Sequence, residues 1–274
     1  MAPRPVSPRG RWLLGGSLLG SLMVITIAGS AASLPASALH AIRPLRDRSD
    51  TAEVITRIAD RACPREMTRV DGSCVDRFEG TLVEIHDDGT ETPWSAHEPP
   101  NGHRVRAVSR PGVVPQGHIS MVEAQRACKA SNKRLCRADE WKAACKGPEK
   151  TRYPYGDTRV AHACVDTDRT SPMNVLFSGE HSGRTMNDPR ANQQPNTLAP
   201  TAQASQCTNG YGVHDMVGNV HEWTDDGSFR GGYYLDTKLN GEGCDYRTTA
   251  HAPAYYDYST GFRCCADVGT VTID

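Results

Sequence analysis

Ten cysteines constrain the fold of this 274-residue chain more than any other feature of its sequence. All ten lie between Cys63 and Cys265, their number is even, and none of them stands in the C-x-x-C spacing of structural zinc sites. They therefore predict a framework of up to five disulfides in an oxidising compartment. Each bridge would stabilise the fold by about 2 to 4 kcal/mol, which matters in a chain with only 6% aromatic residues.

The first 38 residues have the layout of a secretory signal peptide. Three arginines precede an apolar run from Trp12 to Ala28, and small residues follow as far as Ala38. A basic start, an apolar middle and an A-x-A end predict export with cleavage after Ala38. An uncleaved membrane anchor is the alternative, because the run from Trp12 to Leu34 is nearly long enough to span a bilayer. We expect a secreted or periplasmic protein, or a membrane-anchored one whose domain lies outside the cytoplasm.

The rest of the chain is expected to form a linker at residues 39–60 and one domain at residues 61–269. A net charge of −1 and 38% hydrophobic residues favour a domain with one core and give no reason to expect a nucleic-acid partner. Met67–Val70 and Cys74–Ile85 alternate as half-buried strands around an Asp71-Gly72 turn. Cys63 and Cys74 flank this hairpin-sized segment, so a local Cys63–Cys74 bridge is the simplest pairing.

Two helices are predicted in the middle of the domain. Ser120 and Glu123 form a capping box, and the helix should run to about Ala130. The second should run from about Ala138 to Lys146, where Gly147-Pro148 stops it. Residues 153–206 show little periodicity and should be ordered but rich in coil. The whole is an α+β fold that is coil-rich and disulfide-braced.

Three blocks near the C-terminus carry a family resemblance. They are Gly210–Trp223, the turn Arg230-Gly231-Gly232, and Gly261-Phe-Arg-Cys-Cys265. In this order they resemble the sulfatase-modifying-factor family, whose best-known member is the formylglycine-generating enzyme, and the similarity extends upstream to Cys74–Glu79. The resemblance implies a C-type-lectin-like fold. It also implies an oxidoreductase that uses copper, held by two cysteines, to oxidise a cysteine of a client sulfatase.

The copper pair of that family is incomplete in this chain. The resemblance places a reactive cysteine a few residues after the R-G-G turn, and Asp236 stands there instead. Cys244 is the only nearby sulfur and is the one candidate catalytic residue. Copper(I) is a soft ion that favours two thiolates, and a carboxylate is a hard ligand. We expect a non-catalytic binding or scaffolding module; the alternative is a formylglycine-generating-type oxidoreductase that pairs Cys244 with a cysteine elsewhere in the fold.

The resemblance also implies disulfide partners. By residue-by-residue comparison Cys128 should pair with Cys264, and Cys145 with Cys244. Four cysteines stay unassigned: Cys136, Cys164, Cys207 and Cys265. The adjacent Cys264 and Cys265 could form a strained vicinal bridge, although separate partners are favoured.

An oxygen-rich loop at residues 218–223 is the best metal candidate. The family binds calcium here, so the resemblance implies a calcium site formed by Asn219, Glu222 and the carbonyl of Val220. The alternative is a structural turn in which Asn219 caps and Glu222 meets an arginine. His221 stands where the family often has tryptophan.

A second calcium site and a ligand cleft complete the predictions. Asp166 and Asp168, with Asn174, could frame the second site. The expected partner is a protein, a peptide or a glycan. Aromatic residues could line a cleft for such a ligand, or could equally belong to the core: Trp94, Tyr153, Tyr155, Tyr233, Tyr234, Tyr255, Tyr256 and Tyr258.

Overall fold

The computed structural model describes residues 63–269. The predicted signal peptide and linker lie outside these residues. Within them, none of the helices has the length and apolar character needed to cross a membrane.

The described part of the chain contains four α-helices, two short 3-10 helices (Ala191–Gln193 and Gly243–Asp245) and many short strands joined by long irregular segments. The α-helices are α1 (Met121–Ala130), α2 (Ala138–Lys146), α3 (Pro172–Phe177) and α4 (Gly183–Met186). The strands are β1 (Met67–Val70), β2 (Ser73–Asp76), β3 (Gly80–Ile85), β4 (Glu91–Pro93), β5 (Val105–Ser109), β6 (Arg134–Leu135), β7 (His221–Trp223), β8 (Phe229–Arg230), β9 (Arg247–Thr248), β10 (Thr260–Phe262) and β11 (Cys264–Asp267). This is the α+β, coil-rich, C-type-lectin-like fold that the sequence predicts.

Three small sheets organise these strands. The first has the order β1-β2-β11-β6 and is antiparallel throughout. The second has the order β10-β7-β8-β9, in which only β10 and β7 are parallel. The third, β4-β3-β5, is a hairpin with an added strand. The C-terminal β10 and β11 thus bring the end of the domain into contact with both its beginning and its centre.

The two predicted helices are confirmed. The amide of Glu123 donates to the Ser120 hydroxyl at 3.2 Å, as a helix cap requires. In α2, Trp141 and Cys145 are both buried on one face. The single strand expected over Cys74–Ile85 is wrong, because β2 and β3 belong to different sheets. Between them the chain turns, and the side chain of Glu79 enters the core rather than continuing the alternation.

Five disulfides hold this framework together. Three are the pairs expected above: Cys63–Cys74, Cys128–Cys264 and Cys145–Cys244. The cysteines left open form Cys136–Cys265 and Cys164–Cys207. The neighbours Cys264 and Cys265 take separate partners because consecutive side chains of a strand point to opposite faces. The bridges therefore tie α1, α2 and the segment after β6 to the C-terminal part of the domain.

Candidate functional site

The double-glycine turn after β8 fixes the backbone at the centre of the candidate site. Gly231 and Gly232 have φ of 75° and 72°, a region that favours glycine. A Cβ atom on Gly231 would collide with the carbonyl oxygen of Met216, and one on Gly232 with that of Asp236. The next residues close a tight turn, in which the amide of Tyr233 donates to the Asp236 carbonyl at 2.8 Å and the amide of Asp236 donates back at 2.9 Å.

Asp236 occupies this turn as a hydrogen-bond acceptor. Its Oδ1 accepts from the amides of Lys238 and Leu239, both at 2.9 Å. Its Oδ2 accepts from the Tyr246 hydroxyl at 2.9 Å. The carboxylate therefore links the turn to the segment that leads to β9.

Cys244, the candidate catalytic residue, is fully buried and bonded to Cys145 of α2. All ten cysteines lie within the described residues, and none of them is free. No pair of thiols is therefore present to hold copper(I).

A cleft of about 560 Å³ opens beside the double-glycine turn. Asp236 and Asp257 contribute its carboxylates. Of the aromatic residues named from the sequence, Tyr233, Tyr255 and Tyr258 line it. The others, which do not, are Trp94, Tyr153, Tyr155, Tyr234 and Tyr256. Further rings that line the cleft are Phe229, Tyr246, His181, His221 and His251.

His221 lies among these rings. It stacks on Phe229 with centroids 5.1 Å apart and contacts Tyr233 and Tyr246 at 4.9 and 5.5 Å. Burial lowers the pKa of His221 to about 3, so the imidazole is neutral at physiological pH. Its Nδ1 is buried and makes no hydrogen bond with any described residue. The sequence identified His221 as a departure from the family's usual tryptophan but gave no indication that it would line a cleft.

The predicted calcium loop uses its side chains within the protein. Asn219 donates to Glu79 Oε2 at 2.7 Å and to the Ala199 carbonyl at 3.1 Å, and its Oδ1 accepts from the Ala199 amide at 3.0 Å. Arg263 donates to both oxygens of Glu222, with Nη2 to Oε1 at 2.8 Å and Nε to Oε2 at 3.0 Å. This is the arginine partner that the alternative interpretation of the loop expects.

A calcium ion in this loop would have to compete with these contacts. Calcium takes six to eight oxygen ligands, whereas the Glu222 oxygens face the guanidinium and also accept from Trp141 Nε1 at 2.6 Å. Within residues 63–269 no three His, Cys, Asp or Glu side chains come together in a group that could hold a metal ion. Calcium at Asn219, Val220 and Glu222 stays a prediction, and it would require the ion to displace Arg263.

Asp166 and Asp168 have different surroundings. The Asp166 side chain is buried and accepts from Arg159 at 3.1 Å and from Thr237 at 3.1 Å. The Asp168 side chain is 83% exposed, with His162 at 3.5 Å. Asn174 is exposed on α3. A second calcium site at these residues also stays a prediction.

Two buried acids, Glu79 and Asp215, were not predicted as site residues from the sequence. Glu79 and Asp215 each have one buried oxygen without a hydrogen-bond partner among the described residues. Burial, together with the charge of Asp215, raises the pKa of Glu79. Burial raises the pKa of Asp215 to about 6. The signal for Glu79 was its position at the end of Cys74–Glu79, a block that the family resemblance covers.

Comparisons with known proteins identify the family. The model of the sulfatase-modifying factor enzyme 1-like domain matches residues 52–268, which is most of the chain. The formylglycine-generating enzyme of Thermomonospora curvata is 32% identical over 146 residues, covering 50% of this chain and 43% of its own. The inactive C-alpha-formylglycine-generating enzyme 2 of Bos taurus is 28% identical over 169 residues, covering 57% of this chain and 51% of its own. The chain therefore spans about half the length of the curated relatives it matches.

Two solved structures are similar to this chain at low TM-scores. CarF matches with a TM-score of 0.42 and 15% identity, over 72% of this chain and 86% of its own. The U1 variant of the major tropism determinant matches with a TM-score of 0.41 and 12% identity, over 76% of this chain and 54% of its own.

Proposed function

The chain belongs to the sulfatase-modifying factor enzyme 1-like family, and on this premise we propose that it is an exported, non-catalytic module. It binds or scaffolds a ligand through the cleft beside Asp236. The observation that carries the proposal is the use of all ten cysteines in five disulfides.

The chemistry of copper supports the loss of catalysis. Copper(I) is captured by soft thiolates, and the carboxylate of Asp236 is a hard donor whose oxygens already accept three hydrogen bonds. Freeing Cys244 would also require breaking the bridge that anchors its segment to α2. One of the curated relatives is itself named an inactive formylglycine-generating enzyme, which is consistent with a family member that has lost the activity.

The disulfides also support export. Five bridges persist in oxidising compartments and are rare in the cytosol. We therefore place the domain in the periplasm or outside the cell.

Thiol counting on the purified, non-reduced chain tests the proposal. Native and denatured wild-type protein should both titrate no thiol with a chromogenic disulfide reagent, and neither should bind copper(I) stoichiometrically. The matched control is Asp236→Cys, which puts one sulfur on the wall of the cleft and should titrate one accessible thiol in the native state.

The rival oxidoreductase makes the opposite prediction. It requires two titratable thiols in the native wild-type protein and oxidation of a sulfatase-derived cysteine peptide when copper is added. Either result would overturn the assignment as a non-catalytic module.

A further inference from the structure

The cleft beside the double-glycine turn has a one-sided charge. Two carboxylates line it, Asp236 and Asp257, and among residues 63–269 no lysine or arginine does. His221 adds no positive charge because it is neutral at physiological pH. The charge of the wall therefore favours a cation and disfavours an anion.

Both carboxylates are held in place as acceptors. Asp257 accepts from the amide and hydroxyl of Ser259 at 2.8 and 2.7 Å, and from the Tyr255 hydroxyl at 2.5 Å. Asp236 likewise accepts from two amides and one hydroxyl. Burial raises the pKa of Asp257, so Asp236 is the carboxylate that a cation would face. Within the described residues, no lysine or arginine lines the cleft beside either carboxylate.

Aromatic rings supply the rest of the surface. His251 stacks on Tyr255 at 3.8 Å, and Phe229 lies 5.5 Å from His251 and 5.1 Å from His221. Tyr233 continues the series, 4.9 Å from His221 and 6.0 Å from Tyr258. Because these rings pack against one another, their orientation is fixed before a ligand binds. Tyrosine and phenylalanine faces attract organic cations through their quadrupole.

His221 supplies an independent observation at this cleft. It is only 7% exposed, yet it lines the cleft, and its Nδ1 makes no hydrogen bond with any residue described. An unsatisfied buried polar atom costs about 1 to 3 kcal/mol. A ligand that supplies a donor or an ordered water at this atom would remove that cost.

We propose that this cleft binds an alkylammonium cation, with the ammonium group among the rings and facing Asp236. The inference rests on the proposed function, because it takes the cleft to be a binding site rather than a redox centre. The apolar side chains of Met186 and Leu239 on the wall would contact the carbon atoms of the ligand. A lysine side chain and a choline-like quaternary ammonium share the positive charge, and only the primary ammonium can also donate a hydrogen bond to His221 Nδ1.

Calorimetric titration of the full chain with choline and with 3,3-dimethyl-1-butanol, its neutral isostere, tests the inference. Choline should bind at least about tenfold more tightly than the alcohol, because only choline gains the cation-π attraction. n-Butylamine in a third titration distinguishes a primary from a quaternary ammonium site. A site that prefers either amine over the alcohol supports the proposal.

Variants then locate the site. Asp236→Asn keeps an acceptor for the loop amides but removes the charge, and should weaken binding of the preferred amine by about tenfold at low salt and less at high salt. Tyr255→Leu should weaken it by about threefold to thirtyfold while leaving the Asp236 carboxylate in place. The matched control is Glu149→Gln, which removes one exposed charge away from the cleft and should leave affinity unchanged. Thermal unfolding confirms that each variant is folded.

Equal binding of the alcohol, no binding of either amine at millimolar concentration, or equal effects of Asp236→Asn and Glu149→Gln would overturn the inference. Its failure is distinguishable from failure of the proposed function. Absent amine binding with no free thiol leaves the non-catalytic module standing, whereas two native thiols would refute that module whatever the amines do.

Discussion

Replacing Cys145 and Cys244 together by alanine should destabilise the domain more than replacing Cys63 and Cys74. The Cys145–Cys244 bridge spans 99 positions, and taken alone its loop closure would contribute about 4.7 kcal/mol. With the other bridges intact, the shortest path between the two residues runs through Cys136–Cys265 and comprises about 30 residues, which lowers this to about 3.6 kcal/mol.

The control bridge has no such shortcut. Cys63 and Cys74 are 11 positions apart, which gives about 2.8 kcal/mol. The Cys145/Cys244 variant also loses two fully buried sulfur atoms, so its additional loss should be about 1 kcal/mol or more. Urea unfolding of both double variants and the wild type, under non-reducing conditions, measures the difference. A loss in the Cys145/Cys244 variant no greater than in the control would refute the reasoning that this bridge is a structural crosslink.

Three further outcomes are expected. Glu222→Gln should lower the free energy of unfolding in urea by about 3 to 5 kcal/mol, because Arg263 is fully buried and would lose its charged partner. The control Glu149→Gln should lower it little. Equal losses would contradict the role of Glu222 as the partner of Arg263. Burial raises the pKa of Asp215 from 3.8 to about 6, so the native state holds this proton more tightly than the unfolded chain. The resulting stabilisation is complete below about pH 3.8 and is lost as the pH rises through about 6, by up to about 3 kcal/mol. Asp215→Asn should flatten this part of the plot of unfolding free energy against pH. An unchanged plot would contradict this role of Asp215. If calcium binds Asn219, Val220 and Glu222 as the sequence predicts, millimolar calcium should raise the Tm and a chelator should reverse the rise, whereas an unchanged Tm would show that Arg263 keeps the Glu222 oxygens.

The sequence predicted the features that depend on neighbouring residues. The three-residue spacing of Ser120 and Glu123 is a complete helix-start signal. Cys63 and Cys74 flank one turn, so their pairing follows from proximity. Cys136–Cys265 could not be assigned in this way, because it depends on β11 pairing with β6 across 129 positions.

The predicted calcium loop shows why the partners of a polar side chain cannot be predicted from one sequence. Carboxylate and amide oxygens at Asn219 and Glu222 suit a metal ion, but they also suit a buried guanidinium and a backbone amide. The deciding partner, Arg263, lies 41 positions away from Glu222. Likewise the contact of Asn219 with Glu79 joins residues 140 positions apart. The sequence pattern indicates oxygen ligands, and among the described residues the guanidinium of Arg263 is the cation that contacts Glu222.

The disulfides stabilise the domain, whereas the unsatisfied polar atoms of the cleft reduce its stability. The disulfides tie α1, α2 and the segment after β6 to the C-terminal part of the domain, so the framework does not depend on the cleft for its strength. The cleft can therefore retain features that reduce stability, such as the orphaned Nδ1 of His221 and two carboxylates without a lysine or arginine beside them on the wall. Such local losses are expected where a protein holds a surface ready for a ligand. On this reasoning, the amine that binds, choline or n-butylamine, should raise the Tm of the wild type more than that of Tyr255→Leu, because only the wild type presents the complete set of rings.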